Sequence, residues 1–394
     1  MDATPGTVSL LGVPVRLGRL RTAGRPFWLW TAGLAALMIA GLFAWSRQWP
    51  GAQGLAVTGM REVFLWGFYI QNFIFFVGLS AGGLIVYSGV VLFGAEPLRP
   101  LARVAVLQAG VCVLLAMLFV VPDLGNPQRV LWFLRTPNFR SIFVFDFLVL
   151  STYLVLCFVD LWLLLSGRMH GRLEFFMTLA SLPTAMGVHS ITAWVLGLVK
   201  GRELWHSAIM APLFISSAVS SGLALLILVA WVLSRLGKLR LHDDVFALFD
   251  RLLTVTICID LFLFGTELLT IYWPASSEPA HRLRMDLLVS GPYWPFLYGS
   301  LVLGGVLPLA LLVSTHGSVR RVVAAAALVF CGIFAKRAVL LIMGFAMSPL
   351  GVPGRYVPTT VEWAVTAGIW ALGALVFTFA LQVLDVTHHS AEEA

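Results

Sequence analysis

The sequence predicts an all-α integral membrane protein with about ten transmembrane helices. Of its 394 residues, 59% are hydrophobic and only 11% are charged, and the mean hydropathy is +0.92. Soluble domains carry roughly 25% charged residues. The apolar residues occur in runs of about 20 or more, the length that an α-helix needs to cross the hydrocarbon core of a bilayer. These runs far exceed the ~10-residue alternating segments of a membrane β-barrel.

Ten apolar runs are long enough to span a membrane, with approximate bounds of 27–45, 62–94, 101–122, 142–166, 173–199, 206–234, 246–273, 292–315, 319–345 and 361–385. Two of them, 62–94 and 246–273, exceed the minimum length, so tilt or extension beyond the bilayer is expected. Helices 2–5 and 6–9 follow the same down-up-down-up order. The order predicts two four-helix bundles over 62–199 and 206–345, flanked by helices 1 and 10, within a single polytopic domain of residues 1–394.

Lys and Arg in the connecting segments predict the orientation. With a cytoplasmic N-terminus, fourteen of these residues fall in inner segments and ten in outer segments. Cytoplasmic loops are enriched in Lys and Arg, so both termini are predicted to be cytoplasmic, in the inner membrane of a bacterium or archaeon. No cleavable signal peptide is predicted. The long outer loops are then 123–141, 274–291 and 346–360, and the tail Thr387–Ala394 is predicted to be disordered.

The cysteines and histidines argue against a resident metal centre. Cys112, Cys157, Cys258 and Cys331 lie inside apolar runs and far apart in sequence. Only His189 lies well inside a span, so neither a haem, an iron–sulfur cluster nor another metal site is expected in this chain. The net charge of +7 comes from basic residues at span ends. Such residues anchor helices at the surface of the lipid bilayer, so nucleic acid is not an expected partner.

Polar side chains concentrate in the outer halves of helices 2–5, where ionisable groups are costly and are functional candidates. Asp123 ends the third helix, Asp146 lies about a turn and a half into the fourth, and His189 lies in the outer half of the fifth. These three are predicted to handle protons, supported by Trp66, Tyr69, Gln71, Asn72, Ser141 and Trp194. The set offers the proton acceptor, hydrogen-bond partners and flat wall that a quinone headgroup needs. The alternative is that His189 only packs between helices and that Asp123 caps a turn.

The second bundle has its own charges. Asp260 and Glu267 share one face of the seventh helix because they lie two turns apart, and Lys336 and Arg337 lie at comparable depth on the ninth. These residues predict either a buried structural ion pair or a proton path. The small-residue segment 78–83 of the second helix predicts close helix packing.

Several motifs together resemble a known family. The segments Trp66-Gly67-Phe68-Tyr69, Gly78-Leu79-Ser80-Ala81-Gly82-Gly83, Asp123-Leu124-Gly125-Asn126-Pro127 with Arg129, and Pro137-Asn138 with Ser141 are similar to the NrfD/PsrC membrane subunits. The segments His189-Ser190-Ile191-Thr192-Ala193-Trp194 and Arg355-Tyr356-Val357-Pro358-Thr359-Thr360 with Glu362 resemble the ten-helix branch. That branch includes membrane subunits of sulfite-reductase-linked, hydrogenase-linked and alternative complex III assemblies.

The resemblance implies a quinone-interacting subunit without a redox cofactor of its own, for which menaquinone or ubiquinone is the substrate. It implies a ferredoxin-like iron–sulfur partner and a catalytic or cytochrome subunit, in an oxidoreductase complex of the kind used in anaerobic respiration. The implied quinone site lies in helices 2–5, near the face that meets the iron–sulfur partner. Two competing hypotheses stay open: an ion or proton transporter without a redox role, and a purely structural anchor.

Overall fold

The computed structural model describes residues 7–49, 51–199, 202, 205–275, 279–314, 318–345, 354–384 and 386. Within these residues, ten helices are long and apolar enough to span a membrane, which confirms the predicted fold class. They are α1 (Arg25–Ser46), α2 (Phe68–Phe93), α3 (Ala102–Asp123), α4 (Ile142–Leu165), α5 (Gly171–Gly197), α6 (Met210–Arg235), α7 (Asp243–Ala275), α8 (Trp294–Ser314), α9 (Val319–Phe345) and α10 (Thr360–Val383).

Eight of the ten helices pack in two groups of four. In the first, α3 packs against α2 and α4, and α5 packs against the same two helices. In the second, α7 packs against α6 and α8, and α9 likewise packs against α6 and α8. The bundles meet where α2 lies against α6, while α1 pairs with α10 at the side of α2 and α3.

Glycines bring the two bundles into backbone contact. A Cβ atom on Gly82 of α2 would overlap the backbone of Gly222 on α6, and one on Gly83 would overlap the carbonyl of Ala105 on α3. Neither position tolerates a side chain without movement of a helix. The close packing predicted for segment 78–83 is therefore confirmed.

Helix α2 begins later than predicted. The sequence predicts a helix from residue 62, with Gln71 about 13 Å below Glu62. The helix instead begins at Phe68, and the Gln71 N–H donates to the Gly67 carbonyl in the first turn. Gln71 therefore lies only about 4.5 Å into the helix. Helix α7, in contrast, has 33 residues and is longer than a bilayer requires.

The connections contain structure that hydropathy does not reveal. A short helix (Val130–Arg135) lies in one long loop and another (Pro279–Val289) in the second. Strands β1 (Thr7–Leu10) and β2 (Val13–Arg16) form an antiparallel hairpin that was not predicted. Val15 of the hairpin pairs with Leu384 after α10. Residues 346–353 of the third long loop and the tail 387–394 lie outside the described residues.

Candidate functional site

The predicted site residues at the start of α2 contact different neighbours. Tyr69 is fully buried, and its hydroxyl accepts a hydrogen bond from Gln48 Nε2 at 2.6 Å. Gln71 Nε2 donates to the backbone carbonyl of Phe334 on α9 at 3.3 Å. Tyr69 therefore faces the segment after α1, whereas Gln71 faces the second bundle.

Asn72 lies on yet another side of α2. Its Nδ2 donates to the Phe68 carbonyl, and its Oδ1 accepts from Trp370 Nε1 on α10, each at 2.8 Å. A cavity of about 580 Å³ opens beside it between α1, α2, α9 and α10. Most of the lining is apolar and aromatic, which suits a hydrocarbon chain better than a charged ligand. The aromatic walls are Phe68, Phe330, Phe334, Trp363 and Trp370.

His189 is buried between α5 and α2. Its Nδ1 lies 2.6 Å from the Ala185 carbonyl oxygen and its Nε2 lies 3.1 Å from the Val77 carbonyl oxygen. A proton on either nitrogen therefore has an acceptor, and a ring carrying both protons would donate to both carbonyls. Apolar surroundings oppose a lasting charge on the ring.

Asp146 of α4 contacts the face of α5 that carries His189. Thr192 Oγ1 donates to Asp146 Oδ1 at 2.7 Å, across the α4–α5 contact. Thr192 lies three residues after His189, so both side chains lie on one side of α5. Asp146 and His189 therefore both lie in the interior of the first bundle, and Thr192, one helical turn from His189, makes the hydrogen bond to Asp146.

Asp123 lies nearer the predicted outer face, the side on which α2 begins. It is the last residue of α3, and its buried Oδ1 makes no hydrogen bond with the described residues. It lies close enough to the Glu362 carboxylate to interact with it electrostatically. His189 lies eight residues before the end of α5, about 12 Å deeper by helical rise. Counted from the helix ends, the three ionisable groups are staggered within the outer halves of their helices.

The remaining predicted residues occupy three different settings. Trp66 stacks on Trp205, with ring centroids 5.8 Å apart and planes at 17°. Ser141 occupies the N-cap position of α4 but makes no side-chain cap hydrogen bond. Trp194 is 50% exposed, so the structure does not place it in the bundle interior with His189.

Sequence reasoning missed a cluster that joins the start of α2 to the start of α10. The fully buried Glu362 accepts hydrogen bonds from the backbone N–H groups of Gly59 at 2.7 Å and Thr359 at 2.9 Å. Tyr356 donates its hydroxyl proton to Glu362 and accepts from the Phe68 N–H at 2.7 Å. Burial, followed by the nearby Glu362 carboxylate, raises the pKa of Tyr356 above its ordinary value. The Thr359-x-x-Glu362 capping box was the available sequence signal.

The four charges of the second bundle separate into different environments. Lys336 Nζ lies 2.7 Å from Asp260 Oδ1, and Ser216 Oγ donates to the same oxygen at 3.0 Å. Glu267 instead accepts a hydrogen bond from Ser207 Oγ at 2.6 Å. Arg337 is buried and makes no hydrogen bond with the described residues.

The described residues contain no group of three or more His, Cys, Asp or Glu side chains placed to hold a metal ion. The cysteines lie apart on four helices: Cys112 and Cys157 are buried, and Cys258 and Cys331 are exposed.

Comparison with known proteins identifies the family. Residues 56–349 match the family described as "Polysulphide reductase, NrfD". The chain is 32% identical over 417 aligned positions to a putative dimethyl sulfoxide reductase membrane subunit of Halobacterium salinarum, with 93% of both chains aligned. It is 26% identical to an Hdr-like menaquinol oxidoreductase integral membrane subunit of Archaeoglobus fulgidus, with 91% of this chain and 93% of that one aligned. It is 24% identical to a menaquinone reductase integral membrane subunit of Nitratidesulfovibrio vulgaris, with 93% of both aligned. These matches confirm the resemblance found in the motifs: the chain is a multi-pass integral membrane protein that belongs to the NrfD family.

Proposed function

We propose that this chain is the quinone-interacting membrane anchor subunit of a multisubunit redox complex. Two relatives that align with at least 91% of it are named as menaquinol oxidoreductase and menaquinone reductase subunits. The structural observation that carries the proposal is the set of ionisable groups inside the first bundle: Asp146 and His189 are buried, and Asp123 has one buried carboxylate oxygen. Such groups are expensive inside a membrane unless they serve a reaction or a pathway.

The proposal divides the chemistry between two subunits. Interconversion of a quinone and a quinol moves two electrons and two protons, so each needs a route. The electrons are assigned to a ferredoxin-like iron–sulfur partner, which exchanges them with a catalytic or cytochrome subunit. The protons are assigned to this chain, with menaquinone or ubiquinone as the substrate.

His189 is proposed as the group that exchanges a proton with the headgroup. A general base must come within hydrogen-bond reach of the hydroxyl that it deprotonates, and an imidazole both accepts and releases protons near neutral pH. Both ring nitrogens face carbonyls, at 2.6 Å for Ala185 and 3.1 Å for Val77. Nε2, which has the longer contact, is therefore proposed to leave the Val77 carbonyl and turn to the headgroup hydroxyl when the proton is exchanged. Asp146 is assigned the next position, through Thr192, and Asp123 the exit toward the aqueous face. Of the three polar residues at the start of α2, Asn72, which lines the cavity, is proposed to contact the headgroup, whereas Tyr69 and Gln71 face other neighbours.

The test is turnover of the assembled complex with quinol and, separately, with an artificial donor to the catalytic subunit. His189→Ala and Asp146→Asn are expected to slow quinol-dependent turnover by about 100-fold or more, the scale for loss of a general base. Turnover with the artificial donor is expected to persist. His206→Ala, at an exposed position, is the matched control. Unchanged quinol turnover in both site variants would show that the headgroup binds elsewhere.

The orientation is also part of the proposal. Fourteen Lys and Arg residues in inner segments against ten in outer segments support cytoplasmic termini. The protein is then placed in the cytoplasmic membrane of a bacterium or archaeon, with the start of α2 at the outer face. The half-buried Asp123 lies at that same face, where released protons would leave.

A further inference from the structure

Arg337 is a buried cation whose donors have no acceptor among the described residues. Its side chain is 0% exposed, and its Nε, Nη1 and Nη2 atoms make no hydrogen bond in that part of the chain. The guanidinium lies over the ring of Phe214, 4.7 Å from the centroid. A cation–π contact satisfies the charge in part but leaves the N–H donors unpaired. Donors of this kind are costly in an apolar interior unless a ligand accepts from them.

The guanidinium lies at the contact between the two bundles. A Cβ atom on Gly78 of α2 would lie 3.1 Å from Arg337 Nη2 and 3.4 Å from Ser221 Oγ of α6. Because Gly78 has no side chain, the guanidinium from α9 reaches the α2–α6 contact. The Ser221 hydroxyl donates to the Ala218 carbonyl at 3.3 Å, which leaves its oxygen able to accept.

A second unpaired group lies in the same contact. Gln108 of α3 donates from Nε2 to the carbonyls of Leu79 at 3.4 Å and Gly222 at 3.0 Å. Its Oε1 is buried and makes no hydrogen bond with the described residues. Leu79 follows Gly78 and Gly222 follows Ser221, so the side chains of Gln108 and Arg337 contact adjacent residues of α2 and α6.

We propose that this seam, defined by Gly78, Gln108, Ser221 and Arg337, binds ordered water. Among the described residues, Arg337 lacks an acceptor and Gln108 Oε1 lacks a donor. Water both accepts and donates, whereas a halide ion or a quinone carbonyl only accepts and would leave Gln108 unpaired. Buried waters in proteins typically make about three hydrogen bonds to polar groups that are otherwise unsatisfied.

The water site lies between the ionisable groups of the two bundles. Arg337 interacts electrostatically with His189 of the first bundle and with Asp260 of the second. Water at this seam gives the bundles a polar connection in the middle of the membrane, across an interface otherwise closed by the contact of Gly82 with Gly222. The site does not depend on the proposed quinone function.

Radiolytic hydroxyl labelling of the assembled complex in lipid nanodiscs tests this inference, because radicals formed from bound water oxidise adjacent side chains. Phe214, against the guanidinium, is expected to be labelled several-fold faster than the equally buried Phe119. Arg337→Met and Gln108→Leu are each expected to lower labelling of Phe214 toward that of Phe119.

Labelling of Phe214 no faster than Phe119 in the unaltered complex would show a dry seam and overturn the proposal. That comparison needs no variant, so it decides the question even where Arg337→Met fails to assemble. The assay also contains no quinone. Rapid labelling of Phe214 in a complex that does not react with quinol would refute the proposed function and leave the water site standing.

Discussion

Removing one member of the Asp260–Lys336 pair is expected to destabilise the protein strongly. The two charged atoms are 2.7 Å apart, and the Lys336 and Asp260 side chains are only 1% and 7% exposed. Lys336→Met leaves the Asp260 carboxylate buried without its ion-pair partner. Breaking a buried pair in this way costs about 3–5 kcal/mol. At about 1.4 kcal/mol per tenfold, the folded-to-unfolded ratio falls by roughly two to three and a half orders of magnitude.

The double replacement Asp260→Leu with Lys336→Met is expected to recover only part of that loss, because it also removes the carboxylate that interacts electrostatically with the buried Arg337. Apolar residues of similar volume remove both desolvation penalties, and such swaps are often neutral or stabilising by about 1–4 kcal/mol. The exposed pair Glu96–Arg99 provides a matched control: its atoms lie 2.8 Å apart, but its side chains are 63% and 42% exposed. Glu96→Gln is expected to change stability by less than about 1 kcal/mol.

The free energy of unfolding in bicelles, measured by steric trapping or detergent titration, distinguishes these outcomes. A large loss in Lys336→Met, partial recovery in the double variant and no change in Glu96→Gln support a structural ion pair. A stable, normally assembled Lys336→Met protein that no longer moves protons would refute the structural role. It would support a proton path through the second bundle instead.

Three further predictions concern the start of α2, the bundle contact and the topology. Tyr356→Phe is expected to lower the unfolding free energy by about 1–3 kcal/mol, because Glu362 loses a hydrogen-bond donor and the Phe68 N–H loses its acceptor. Thermal unfolding measures this loss, and Tyr298→Phe, at an exposed position, is the control. Since the pKa of Tyr356 is raised in the folded protein, its contribution is present below the ordinary tyrosine pKa of about 10 and declines as the pH rises above it. Gly82→Ala is expected to lower the unfolding free energy by about 1–3 kcal/mol by overpacking against Gly222. Gly33→Ala, with no atom within 4 Å of the new Cβ, is the control and is expected to leave stability unchanged. Equal stability of the two variants would contradict the close contact. Arg135→Cys is expected to react with an impermeant thiol reagent in intact cells and Arg240→Cys only after the inner face is opened; the reverse pattern would invert the topology.

The spans could be predicted from sequence because every one of the ten is an apolar run of sufficient length. The start of α2 could not. Its Phe68 N–H is capped by the hydroxyl of Tyr356, 288 residues away in the chain, and no local pattern encodes such a partner. Because the predicted start of the helix was six residues too early, the predicted depth of Gln71 was also wrong. The β-hairpin was missed because each of its strands has only 4 residues, too few for alternation to stand out.

The geometry of the candidate site could not be predicted from the sequence. Helix α2 is apolar on nearly every side and almost wholly buried, so hydropathy gives no direction for individual side chains. Asn72 consequently faces Trp370 on α10, while the Val77 carbonyl faces His189. The spacing of Asp260 and Glu267 indicated a common face, but only tertiary packing placed Asp260 beside Lys336 and Glu267 beside Ser207.

In the proposed function, electrons pass between a membrane quinone and an iron–sulfur partner through a site on this chain. A stopped-flow experiment examines that transfer without the rest of the complex: a reduced quinol analogue is mixed with the iron–sulfur partner, with and without this chain in nanodiscs, and the cluster spectrum is followed over time. Rapid reduction of the clusters is expected only when the chain is present, and slower reduction is expected with His189→Ala. Equal rates with and without the chain would contradict the proposed function.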